Sequence, residues 1–219
     1  MFLSVIIPTI NEEKSIGNTI KSIRKTLKSA AYEIIIIDTN SNDRTADIAK
    51  SLGAKVINEP RRGYGRAYKT GFRHARGDTI ITLDADATYP VESIKHLVDT
   101  LYKYDMDFVS GSRKRSESMS LIHRFGNWVI TTLANVLFFT NFKDSQSGMW
   151  VFRRSLLKKM SLKNDSWPFS GEIKIEAAKK GKFVEVPINY NTRVGMSKVR
   201  SWKVGAENIK FLFRKRFSI

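Results

Sequence analysis

The sequence predicts an α/β fold, a mostly parallel sheet with helices on both faces, and three observations carry that expectation. Short apolar runs alternate with segments of helical periodicity through the first half of the chain. One of those runs holds four consecutive isoleucines, from Ile34 to Ile37, as a strand covered on both sides requires. Polar clusters at residues 8–12, 38–41 and 84–86 each begin where an apolar run stops. In an open parallel sheet, ligands bind beyond the carboxyl ends of the strands, so these loops are expected to line one crevice.

Taken in order, residues 3–8 form a first strand, ended by Pro8, and residues 15–28 a helix carrying Ile16, Ile20, Ile23 and Leu27 at helical spacing. Residues 33–38 are the isoleucine strand, 43–52 a helix, 54–58 a strand and 66–75 a helix, and residues 79–83 are a strand running into Asp84. The second half is less regular: helices are expected at 93–102 and 171–180, and strands at 107–111, 149–152 and 183–188. No internal repeat or low-complexity segment interrupts this order.

With 219 residues the chain suits one catalytic domain with a small appendage, divided here as 1–198 and 199–219. Cysteine is absent, which excludes disulfides, thiolate metal sites and a cysteine nucleophile. The apolar start, residues 1–8, lacks a basic leader region and a small-residue cleavage site, and reads as a strand and not as a targeting segment. The formal net charge of +17 implies an anionic partner, whether nucleic acid, a membrane surface or a phosphate-bearing substrate.

The longest uncharged stretch, residues 125–142, reaches 18 residues, the lower edge of a membrane span. His123, Asn127, Thr131 and Asn135 follow one another at steps of four, so the segment reads as an amphipathic helix, not a span. From Arg193 to Ile219 there are eight Lys or Arg and one Glu. There Trp202, Ala206, Ile209 and Phe213 share one helical face and Lys203, Lys210 and Arg214 another, a basic amphipathic tail.

Asp84-Ala85-Asp86 places two carboxylates on a strand end, where hard oxygen ligands suit Mg²⁺ or Mn²⁺ shared with a diphosphate. Alone, such a sequence is more often a solvated turn. Its company with the two other strand-end loops marks it as a site. His74, His96 and His123 are scattered without ligand spacing and read as ordinary, which argues against histidine-bound zinc. Glu172 opens a predicted helix, where the dipole alone favours a carboxylate. Gly63-Tyr64-Gly65 lacks the third glycine of a dinucleotide fingerprint and does not follow the first strand.

Several motifs together resemble the family 2 glycosyltransferases of the GT-A fold, a Rossmann-like α/β architecture. Residues 4–13, from Ser4-Val5-Ile6-Ile7-Pro8 to Glu12-Glu13, resemble the opening strand and donor loop, and Asp38-Thr39-Asn40-Ser41 resembles the nucleoside loop. Gly63-Tyr64-Gly65-Arg66-Ala67 and Ala75-Arg76-Gly77-Asp78 resemble the approach to the metal motif. Later segments resemble the dolichyl- and polyprenyl-phosphate sugar synthases of that family. They are Gly111-Ser112-Arg113, Arg124-Phe125-Gly126-Asn127, Asp144-Ser145-Gln146-Ser147-Gly148-Met149, and Arg193-Val194-Gly195-Met196-Ser197-Lys198.

The resemblance implies inverting transfer of a hexose, mannose before glucose, from GDP-mannose or next UDP-glucose to a dolichyl or polyprenyl phosphate. It implies donor contacts from Pro8, Ile10, Glu12, Asp38, Asp84, Ala85, Asp86, Arg193 and Lys198, with Asp84 and Asp86 on the metal. Asp86, Arg193 and Lys198 are expected to be catalytic, and Arg113, Arg124 and Ser147 to hold the acceptor phosphate. Two departures stand out. Thr39 and Asn40 replace the family's second acid and glycine, and Thr88 stands where the family commonly has Gln. The competing enzyme reading is transfer to a glycan or protein hydroxyl, for which Glu172 would be the base. A basic nucleic-acid-binding protein is a distant third, since no recognisable binding module is present. The tail then suits a peripheral position on an anionic membrane, at its cytoplasmic face.

Overall fold

The computed structural model describes residues 1–113, 121–194 and 201–217. One seven-stranded sheet organises them, in the order β3-β2-β1-β4-β6-β5-β7. Its left half alternates strand and helix as the periodicity requires: β1 (Phe2–Thr9), α1 (Ile16–Thr26), β2 (Ala31–Asp38), α2 (Thr45–Ser51), β3 (Lys55–Asn58), α3 (Tyr64–His74) and β4 (Thr79–Thr82). Strands β3, β2, β1 and β4 pair parallel, with Ile6 opposite Ile35 on one side and Thr82 on the other.

The right half consists of α4 (Ser93–Lys103), β5 (Phe108–Arg113), α5 (Leu121–Phe138), β6 (Trp150–Arg153), a short 3₁₀ turn (Arg154–Lys158), α6 (Phe169–Lys180), β7 (Phe183–Ile188) and α7 (Ser201–Phe217). Strand β6 is the exception to parallel pairing. It enters between β4 and β5 and runs antiparallel to both. Its reversal puts the segment that precedes it, Gln146 to Gly148, at the edge of the sheet where β1, β4 and β5 end.

Successive strand residues point to opposite faces, so each strand feeds two cores. Val5, Ile7, Ile34 and Ile36 pack with Ile16, Ile20 and Ile23 of α1 and with Leu97 and Leu101 of α4. Ile6, Ile35, Ile37, Phe108 and Trp150 pack on the other face with Tyr68 and Phe72 of α3 and Phe169 and Ile173 of α6. The four isoleucines of β2 are all buried. At about 1.5–3 kcal/mol each, they anchor the half of the sheet that carries the first loops. Helix α3 lies close on β1 because Gly71 has no side chain, and a Cβ there would overlap Ile6. A third cluster joins Ile130, Ala134 and Phe138 of α5 with Ile175 of α6 and Leu212 of α7. Among the described residues, no helix is long and apolar enough to cross a membrane.

Candidate active site

A cavity of about 770 Å³ opens at the carboxyl edge of the sheet. Pro8, Thr9, Ile10 and Glu12 follow β1, Thr39 follows β2, and Asp84, Ala85, Asp86, Thr88 and Tyr89 follow β4. Arg62, Gly63, Tyr64 and Ala67 enter from the start of α3, Arg113 from the end of β5, and His123 and Asn127 from α5. Gln146, Ser166, Trp167, Ser170, Tyr190, Asn191, Arg193 and Val204 complete the lining.

The first two loops are stitched to each other by hydrogen bonds. Asn11 N–H donates to Ser41 Oγ at 2.9 Å, Glu12 N–H to Thr45 Oγ1 at 2.8 Å and Asn42 N–H to Asn11 Oδ1 at 2.8 Å. Asn40, in the family's glycine position, adopts φ 47°, a left-handed conformation that Asn tolerates better than most residues. Asp38 is buried behind this wall. Its carboxylate accepts from Thr9 Oγ1 at 2.9 Å and from the Ser41 N–H at 3.0 Å, so here it braces the loop.

Asp84 accepts from Tyr68 Oη at 3.2 Å and Tyr64 Oη at 3.5 Å. Burial pushes its carboxyl up to about 7, and the neighbouring Asp86 charge adds to the rise. Asp86 accepts from both the N–H and the hydroxyl of Thr88, at 3.1 and 2.6 Å. The unusual Thr88 therefore fixes the rotamer of Asp86. Between them Ala87 adopts φ 63°, a strained conformation for a residue with a Cβ, of the kind that concentrates at functional sites.

The segment after β7 lies along this turn, with Asn191 N–H donating to Thr88 O at 2.9 Å and Val194 N–H to Asp86 O at 3.0 Å. That holds Arg193 with its Nη2 3.3 Å from Asp86 Oδ2 and 3.9 Å from Glu12 Oε1. Arg193 Nε is buried without a hydrogen-bond partner. An orphaned cationic N–H inside a cavity is costly until an anionic oxygen meets it.

The pair Asp84 and Asp86 fits a hard divalent cation. Both donors are carboxylate oxygens, and Gly148 lets the Tyr64 hydroxyl approach beside Asp84, since a Cβ there would overlap it. Among the described residues, no group of three or more His, Cys, Asp and Glu side chains converges to cage an ion. Two carboxylates leave the remaining coordination positions to phosphate oxygens and water.

Across the cavity, Arg113 makes a bidentate pair with Asp144, Nε to Oδ2 at 2.7 Å and Nη2 to Oδ1 at 2.9 Å, and lies 5.3 Å from the Tyr190 ring. Burial opposes the charge on Asp144, and the Arg113 guanidinium outweighs it, holding the carboxyl far below its ordinary range. Beneath the pair, fully buried Lys174 donates to the Asp144 carbonyl and lies 3.9 Å from Glu185 Oε1. Burial pushes the Lys174 ammonium down, against the pull of Asp144 and Glu185.

Thus Pro8, Ile10, Glu12, Asp84, Ala85, Asp86, Arg113 and Arg193 meet around one cavity. Ser147 is fully buried behind the wall, where its carbonyl accepts from Trp150 Nε1 at 2.7 Å, and Gln146 is the segment's residue on the cavity. Arg124 sits on α5 beside His123 but off the face that His123 and Asn127 present. Lys198 lies outside the described residues. His123, which read as ordinary, lines the cavity, and its spacing from Asn127 was the signal available for it. Trp167, stacked on Tyr64 with ring centroids 5.0 Å apart, and Tyr190 carried no sequence mark. Glu172 is more than a helix-start charge. Its carboxylate accepts from the N–H groups of Lys163 at 3.1 Å and Asn164 at 2.8 Å, away from the cavity.

The model of "Glycosyl transferase family 2" matches residues 4–161. The low-salt glycan biosynthesis hexosyltransferase Agl6 of Haloferax volcanii is 35% identical over 96% of this chain and 52% of its own length. The dolichyl-phosphate hexose transferase of the same organism is 34% identical over 93% of this chain and 89% of its own. The dolichol-phosphate mannosyltransferase of Pyrococcus furiosus is 29% identical over 98% and 63%. The chain thus spans only about half of the first relative.

Among solved structures, glucosyl-3-phosphoglycerate synthase of Mycobacterium tuberculosis, crystallised with Mn²⁺, UDP-glucose and phosphoglyceric acid, superposes with a TM-score of 0.81. The match covers 100% of this chain and 80% of that one at 20% identity. Mannosyl-3-phosphoglycerate synthase of Rubrobacter xylanophilus gives 0.81 over 98% and 74%, also at 20% identity. At that identity these neighbours establish the GT-A fold. The family model and the two Haloferax relatives establish more: the chain belongs to glycosyl transferase family 2 and is a glycosyltransferase.

Proposed function

We propose that this glycosyltransferase moves a hexose, mannose before glucose, with inversion from a nucleotide-diphosphate sugar to a dolichyl or polyprenyl phosphate. GDP-mannose is the favoured donor and UDP-glucose the next. The observation that carries the reading is the asymmetry of the cavity. Asp84, Asp86 and Arg193 form one group on its wall, and buried Arg113, bonded to Asp144, forms another. The carboxylates on the cavity wall, Glu12, Asp84 and Asp86, are none of them bonded to Arg113.

In the reaction the bond from the anomeric carbon to the donor's diphosphate breaks as an acceptor phosphate oxygen attacks from the opposite face. Asp84 and Asp86 would hold Mg²⁺ or Mn²⁺, which would supply charge neutralisation for the departing diphosphate. Arg193, steered by Asp86 and Glu12, turns its unpartnered Nε to the same charge. Lys198 is assigned to donor phosphate by resemblance. An acceptor phosphate is already an anion and gives up no proton at the attacking oxygen, so orientation and charge matter more than a base. Arg113, with Asp144 fixing its guanidinium plane, orients that phosphate. By resemblance Arg124 and Ser147 belong to the acceptor side; Ser147, fully buried, would act there only by supporting the wall, and Asp38 braces the nucleoside loop.

Transfer to a hydroxyl is the weaker reading, because Glu172, the base it needs, spends its carboxylate on the backbone of residues 163 and 164. A lipid-linked acceptor goes with a site at a membrane surface, taken here as a peripheral position at the cytoplasmic face. The test is incubation with GDP-mannose or UDP-glucose, a water-soluble short prenyl phosphate and Mg²⁺ or Mn²⁺. The expected product is an inverted glycosyl phosphate identified by its anomeric NMR coupling. A retained anomer, or no sugar on the phosphate with either donor, contradicts the proposal.

A further inference from the structure

Lys174 is fully buried on α6, between Ile173 and Ile175, each packed into a separate apolar cluster. An apolar side chain of similar volume would fill the same space, so packing does not account for the ammonium. Glu185 of β7 lies 3.9 Å from it, itself almost wholly buried. Burial pushes the Glu185 carboxyl up and the Lys174 ammonium down. Both charges are held against desolvation, and an ion pair so placed is a poor source of stability.

What the pair grips is one residue. Glu185 accepts from the N–H groups of Lys143 and Asp144, the second at 3.3 Å, and Lys174 donates to the Asp144 carbonyl. Asp144 is thus held by both its backbone groups. Its carboxylate is left to the side chain and N–H of Arg113 and to the Gln146 N–H, at 3.0 Å. Arg113 and Gln146 line the cavity, and neither Lys174 nor Glu185 does. Turning the Asp144 backbone would turn its carboxylate, and both side-chain bonds to Arg113 with it.

We propose that Lys174 and Glu185 are positioning residues: by fixing the backbone of Asp144 they set the direction in which Arg113 presents its guanidinium to the acceptor anion. The proposal deepens the acceptor reading above and rests on it for the identity of that anion. The pair touches no substrate. Its effect is expected on acceptor affinity, and only through Arg113.

The test is calorimetric titration of the full chain with a water-soluble short prenyl phosphate, in the presence of Mg²⁺ and GDP or UDP, beside a chemical-unfolding curve for each variant. Lys174→Met alone strands the Glu185 charge and should lower the unfolding midpoint. Lys174→Met combined with Glu185→Gln removes both charges. It should return the midpoint toward the wild type while the prenyl phosphate still binds about tenfold more weakly. Nucleotide affinity should stay within about twofold.

In an Arg113→Gln background the same double change should weaken phosphate binding no further, because the two act in series. A merely structural pair would weaken nucleotide and phosphate binding together and would add to Arg113→Gln. Either result, or wild-type phosphate affinity in the folded double variant, overturns the proposal. Where the double variant does not fold, Glu185→Gln alone decides by the same criteria, since it keeps the volume and gives up one of two carboxylate oxygens. If Arg113→Gln itself binds the prenyl phosphate as the wild type does, the acceptor assignment fails and the positioning falls with it. If only the variants of the pair do so, the positioning falls and the acceptor assignment stands.

Discussion

At one end of the cavity Asp84 and Asp86 stand on the rigid tip of β4, oriented by neighbours two to twenty residues away: Thr88, Tyr68 and Tyr64. At the other, Arg113 depends on Asp144, 31 residues further on, which depends in turn on Lys174, a further 30 residues along. The first end sets like charges side by side, a loaded arrangement that a cation relieves. The second buries opposite charges that satisfy each other before any ligand arrives. The proposed function assigns the metal-bound diphosphate to the first group and the acceptor phosphate to the second.

That contrast is broken most forcefully at Asp144. Asp144→Ala leaves Arg113 buried without its carboxylate, and should cost about 3–5 kcal/mol in chemical unfolding. An unchanged midpoint would show that the network carries no load. At the other end, Asp86→Ala should lower kcat/KM for transfer by about 10²–10³-fold while the melting temperature holds. Transfer at the wild-type rate would remove Asp86 from the chemistry. Thr88→Val deletes only the hydroxyl that orients Asp86, so a smaller loss of about tenfold is expected, one hydrogen bond to a charged group. Thr88→Ser should restore the rate.

Away from both ends, Glu59 ties the end of β3 to Thr70 of α3 and to Arg61, and these bonds hold its carboxyl down at about 2 from 4.5. A folded value below the unfolded one stabilises above the unfolded pKa. Its contribution is therefore complete above about pH 4.5 and disappears as pH falls through about 2. In Glu59→Gln that part of the acid-unfolding curve should flatten. The smallest effect belongs to the exposed pair of Asp105 and Lys182, where Asp105→Asn should leave the thermal midpoint unmoved.

The same contrast explains what could be read from the sequence. Strands β1 to β4 and their loops announce themselves locally: Pro8 after an apolar run, four isoleucines, Asp84 at a strand end. The antiparallel β6 and the pairing of Arg113 with Asp144 are long-range events that no local period encodes. Trp167 reaches the cavity only because the loop held by Glu172 delivers it. Helix α5 gave its polar stripe correctly, from His123 through Asn127, Thr131 and Asn135. Periodicity locates a stripe and is silent about what it meets: His123 and Asn127 meet the cavity, while Thr131 and Asn135 bond to Ser145 and to the backbone of Phe142.

The most direct test compares a short prenyl phosphate with the matching prenol as acceptors, under saturating donor and divalent cation. Arg113 as the group that orients an acceptor anion predicts turnover of the phosphate, none of the alcohol, and loss of the phosphate reaction in Arg113→Gln. Transfer to the prenol at a comparable rate, undiminished in that variant, would contradict the account.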